Sequence, residues 1–133
     1  MPHFAQFYKC ALQVNPYCYS AYRGNSIKDE DEYNASILQK CKQYSIQVVG
    51  LANHGDVDSS ESLRKLLSEN GIVAFPGFEI MSAEKIHMVC LFPENKTISD
   101  LNRYLGALGL GAAVRGNETS SCTFEEIAPK VYA

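Results

Sequence analysis

At 133 residues the chain suits a single domain spanning 1–133, and 46% hydrophobic against 20% charged residues is the balance of a globular protein with a real core. No apolar run approaches the roughly 20 residues of a membrane span, and the opening MPHFAQFYKCALQVNPY lacks an apolar signal core, so a cytoplasmic protein with no membrane partner is expected. A net charge of −3 gives no general attraction to nucleic acid, and five cysteines without a C-x-x-C pair argue against a disulfide frame or a thiolate zinc site. Residues 7–14 read as a first strand, in which period 2 sets Ala11, Gln13 and Asn15 on one face and Cys10, Leu12 and Val14 on the other. After a polar and aromatic loop, residues 29–44 fit a helix, with acids in its first turn and Tyr33, Ile37, Cys41 and Tyr44 at helical spacing.

Residues 46–51 form a β-branched run with little alternation, the pattern of a strand covered on both faces in a parallel sheet. The next helix opens at Asp58 with Glu61 three residues on, carries Leu63, Leu66 and Leu67, and closes on Asn70 and Gly71. Residues 72–75 and 86–92 supply two more strands. Thr97 with Asp100 starts a helix whose apolar side is Ile98, Leu101, Tyr104, Leu105 and Leu108. In the tail, Thr123 with Glu126 caps a short helix expected to break at Pro129. This alternation is an α/β layout with right-handed crossovers, in which working residues stand just beyond the carboxyl ends of the strands. Asn15 and His54 occupy such positions, and Glu79 follows the 72–75 run.

VVGLANHGDVDSSESLRKLLSENGIVAFPGFEI, residues 48–80, resembles the run of strand, T-D-H-N, helix, strand and P-G-x-E of the PHP (polymerase and histidinol phosphatase) domains. KCALQVNP aligns with that family's D-L-H-x-H-T-P, and EKIHMVCLFPE resembles the His-bearing strand that follows its glutamate. The nearest flavour is the PHP domain at the head of large ATPase-linked proteins, where the first motif often reads D-L-Q-x-H. The resemblance implies a partial (β/α) barrel, mostly parallel with crossover helices, covering the first half or so of the family's domain. It also implies a metal-dependent phosphoesterase or nuclease type of hydrolase.

Carried over residue by residue, the resemblance keeps His54, Glu79 and His87 as metal ligands, with His54 and Glu79 heading the catalytic site. The first His pair of the family falls on Gln13 and Asn15, weaker ligands because amide oxygens carry no charge. Its motif aspartates fall on Ala11 and Asn53, and its later D-x-H motif has no counterpart. Two histidines and one glutamate suffice for one zinc or manganese ion, with no bound ion as the alternative. His87 stands early in its strand, where alternation alone does not decide whether it meets His54 and Glu79.

The expected function is therefore a PHP-like phosphoesterase with an eroded metal site. The alternative is a non-catalytic PHP-like module that binds a nucleotide, nucleic acid or protein partner. A phosphate-containing ligand suits either, and the open sheet of a half-barrel calls for self-association or a partner subunit. Gly106, Gly109 and Gly111 follow a helix and so lack the strand-to-helix context of a phosphate loop. Arg23, Lys85 and Arg115 are candidate phosphate contacts whose default is solvated surface.

Overall fold

The computed structural model describes residues 5–18, 27, 29–58, 60–110 and 119–132. It is a mixed α/β fold in which a four-stranded, mostly parallel sheet curls into a half-barrel beside four helices. The strands are β1 (Cys10–Val14), β2 (Val48–His54), β3 (Val73–Met81) and β4 (His87–Leu91), and the helices are α1 (Glu30–Tyr44), α2 (Ser60–Glu69), α3 (Ile98–Ala107) and α4 (Phe124–Tyr132). Sheet order is β1-β2-β3-β4, parallel across the first three strands and antiparallel between β3 and β4.

Local chemistry accounts for several helix ends. Asp29 caps α1 by accepting a hydrogen bond from the Glu32 amide, and Glu30, Asp31 and Glu32 sit at the positive end of the helix dipole. Thr97 and Asp100 form a reciprocal capping box on α3. Past α2, Gly71 takes φ 76°, and the amides of Gly71 and Ile72 return to the carbonyls of Ser68 and Leu67.

All four helices lie on one face. The β2–β3 register pairs Val49 with Ala74 and Asn53 with Phe78, so these side chains share the convex face. There Val49, Leu51 and Ala74 pack with Leu63 and Leu67 of α2 and Cys41 of α1. Farther along, Phe78 and Ile80 pack with Leu101, Tyr104 and Leu105 of α3 and Ile127 and Val131 of α4. Phe92 links these layers, 5.4 Å from Phe78 and stacked 5.0 Å from Tyr104 between ring centroids.

The opposite, concave face is lined by Val48, Gly50, Ala52 and His54 of β2 and by Phe75, Gly77 and Glu79 of β3. Leu91 of β4 lies over both glycines: a Cβ at Gly50 would stand 2.7 Å from a Leu91 methyl, and one at Gly77 would stand 2.2 Å from the Cys90 carbonyl oxygen. The two glycines thus permit a curl tight enough for β4 to reach β2 across β3.

The structure corrects several expectations. Residues 46 and 47 precede β2, which runs on to His54. β3 continues through Pro76 and Gly77 to Met81, so Glu79 is inside a strand rather than after one. Pro76 is tolerated because it stands opposite Phe92, one residue past the end of β4, where its missing amide removes only a terminal rung. α4 likewise continues through Pro129 to Tyr132, since Pro129 and the Glu125 carbonyl it would have bonded are on the exposed side. The strict alternation expected in β1 also fails. Ala11 pairs with Val49 and Val14 with Leu51, so three residues of β1 span two of β2, and this bulge turns Gln13 to the concave face.

Candidate functional site

Glu79 is the centre of the concave face at the carboxyl end of the parallel strands. It is 6% exposed, and it pairs in register with His54 on β2. That pairing sets both side chains on the same face, leaving His54 Nε2 3.4 Å from Glu79 Oε2. His87 enters from β4, where it pairs with Met81, one alternation along from Glu79; its Nδ1 lies 3.3 Å from Glu79 Oε1. Gln13, redirected by the bulge, donates from Nε2 to Oε2 at 2.5 Å. The backbone closes the corner, because the Gly55 amide donates to the Glu79 carbonyl at 2.8 Å.

Four of the expected site residues therefore meet: Glu79 with His54, His87 and Gln13. His87, whose orientation alternation left open, faces the site, although its side chain is 55% exposed against 13% for His54. Asn15 and Asn53 do not join them. Asn53 points to the convex side, 2% exposed, and donates to the Cys18 sulfur at 2.8 Å, while the Cys18 thiol donates to the Asp58 carbonyl at 2.9 Å. The Asn15 carbonyl accepts from the Tyr33 hydroxyl at 2.6 Å, which ties the exit of β1 to α1. The Asn15 and Asn53 Oδ1 atoms have no hydrogen-bond partner among the described residues.

The electrostatics of the cluster are unusual for a buried acid. Removing a carboxylate from water costs several kcal/mol unless a cation or hydrogen-bond donors compensate it. Among the described residues the only ion-pair partners of Glu79 are the two imidazoles, each on its own oxygen, and no lysine or arginine reaches it. Each imidazole nitrogen that carries no proton offers a lone pair, so the described residues around Glu79 are mostly groups that can ligate a cation. That donor set fits a divalent ion. The nitrogen–oxygen separations of 3.3 and 3.4 Å also approach the roughly 3.4 Å between two ligands of one tetrahedral zinc. Even so, among the described residues no three His, Cys, Asp or Glu side chains form a ready metal-holding group.

Other candidates fall away. Burial pushes the Cys90 thiol up to about 11, and Cys41 is also raised by burial, so neither is a thiolate nucleophile at neutral pH. Lys85 is exposed in the turn between β3 and β4, and Gly106 and Gly109 close α3. Arg23, Gly111 and Arg115 lie outside the described residues. No described helix is long and apolar enough to cross a membrane. Two features escaped the sequence reading: the Asn53–Cys18 contact, which joins residues far apart in the chain, and the curl of β4 over β2. The curl had a signal in Gly50 and Gly77, two glycines inside strand patterns. No protein-family model, curated protein or solved structure matches the chain.

Proposed function

We propose that the chain is a PHP-like domain with a reduced, single-ion site, in which Glu79, His54 and His87 hold one zinc or manganese ion and engage a phosphate ester. The observation that carries this reading is the composition of the shell around Glu79: a buried carboxylate faced by two imidazoles and one amide, with no lysine or arginine among the described residues. When bound, the ion supplies Lewis-acid polarisation of a phosphoryl oxygen and lowers the pKa of a water toward neutrality. Glu79 supplies the anionic charge that retains the ion. His54, nearly enclosed, fixes one side, while the more exposed His87 faces the side from which a ligand enters.

Gln13 limits the site. Its amide donates to the same Glu79 oxygen that His54 approaches, so it competes with an ion for those lone pairs. That contact favours a second reading, a PHP-like module that binds a phosphate-bearing ligand without turning it over. One experiment separates the two. Purified protein is loaded with manganese or zinc, its metal content is measured, and the same sample is assayed against phosphomonoester and phosphodiester substrates. One ion per chain with turnover lost in His54→Ala supports the hydrolase, and one ion without turnover supports the binding module. No metal above trace contradicts the hydrolase and leaves the binding module.

A further inference from the structure

Among the described residues the half-barrel leaves two unpaired edges, β1 and β4, at opposite sides of one sheet. In the β3–β4 ladder the Phe92 amide donates to Pro76 and the Ser82 amide to Ile86, so the even-numbered residues of β4 turn their backbone groups to β3. The groups of His87, Val89 and Leu91 therefore point out from the sheet edge. Beside them runs an apolar groove of about 200 Å3, lined by Met88, Cys90 and Phe92 of the strand and by Phe124, Ile127 and Tyr132 of α4. Large apolar side chains are also exposed along the other edge: Phe7 at 92%, Tyr8 at 57% and Leu12 at 50%. An edge strand is a template for pairing with another chain, and among the described residues no strand pairs with the outer side of either.

We infer that two copies of this chain close on each other, with β4 of each pairing with β1 of the other, to make a two-fold-symmetric, eight-stranded barrel. Strand direction allows it. β1, β2 and β3 run one way and β4 the other, so β4 meets a neighbouring β1 antiparallel. In that arrangement Lys9, just before β1, comes to the same end as Glu94, just after β4, which matches opposite charges. The four described helices are already on the convex face, so closure places them outside and the concave face inside, and eight strands enclose an interior that side chains can fill. Closure removes every edge, and the groove beside β4 receives the apolar flank of the incoming β1. This inference does not depend on the chemistry proposed for Glu79.

Sedimentation equilibrium, hydrogen exchange and two variants test it. The wild-type chain is expected to be a dimer, with the amides of His87, Val89 and Leu91 protected more strongly as concentration rises. Val89→Pro removes one outward amide without touching the β3 ladder and weakens the dimer by about a hundredfold. Leu12→Glu does the same from the other edge. Mixing the two variants leaves one seam intact, so the mixture associates more tightly than either alone. A monomer with freely exchanging edge amides overturns the inference. So does a dimer sensitive to only one of the two changes, which would mean β4 on β4 or β1 on β1. The exchange measurement needs no variant and stands if either substitution prevents folding.

Discussion

On the convex face of the sheet, Val49, Leu51, Phe78 and Ile80 meet leucines from α2 and α3, and these layers are enclosed and, apart from Asn53, apolar. On the concave face the same strands present Gly50, Ala52 and Gly77 along the middle and then a buried glutamate with two histidines at one end. Adjacent residues serve opposite ends: Phe78 is a fully buried core side chain, and Glu79 beside it is the centre of the polar cluster. The pleat separates the two roles at a spacing of one residue. The convex face holds the fold together, and the concave face gives up packing for close strand approach and for a polar cluster.

Substitutions at neighbouring positions should therefore part sharply. Phe78→Ala is expected to lose about 3–5 kcal/mol of stability, because it empties a site between Phe92 and the α3 layer. Urea unfolding measures this, and a loss below about 1 kcal/mol would show that the convex core is loosely packed. Gly77→Ala comes next, at about 1–3 kcal/mol, since its methyl would collide with the Cys90 carbonyl and push β4 off β3. Near-UV circular dichroism and urea unfolding would reveal that change, and full tolerance would argue against the curl.

Glu79→Gln should cost little in metal-free protein, within about 1 kcal/mol, because it removes a buried charge while keeping shape and hydrogen-bonding capacity. Its effect should appear instead with metal: the rise in melting temperature that manganese or zinc gives the wild type, through linkage to the folded state, should vanish. His87→Ala should weaken that rise less than His54→Ala, in keeping with its greater exposure. The smallest effect concerns Asp100 in the α3 cap, whose carboxyl is held below its ordinary value by hydrogen bonds from the Thr97 backbone and side chain. A depressed carboxylate contributes stability that is full above its unfolded pKa of about 3.9 and is lost as pH falls through its lower folded value. Wild type and Asp100→Asn should thus differ in melting temperature at pH 7 and converge in strong acid.

The helices were legible because their signals are local: acids after Asp29, the Thr97 and Asp100 pair, and Asn70-Gly71 each fix an end within one turn. The order of strands and helices followed from them. What stayed hidden depends on neighbours in space. The bulge in β1 has no glycine to announce it, so alternation put Gln13 in the right company only when the β2 register was known. The extent of β3 was hidden by Pro76, whose missing amide matters only if a partner strand faces it. For the site, the resemblance pointed to His54, Glu79 and His87, and the register brought them to one carboxylate. Asn53 went to the other face, because the residue next to an inward histidine on a strand must point outward.

The central claim is that a buried glutamate compensated, among the described residues, by imidazoles and an amide is built for a cation. Calorimetric titration of zinc and of manganese into wild-type and Glu79→Gln protein tests it most directly. The account predicts one ion per wild-type chain and none in the variant. Equal binding by both proteins, or no binding by the wild type, would contradict it.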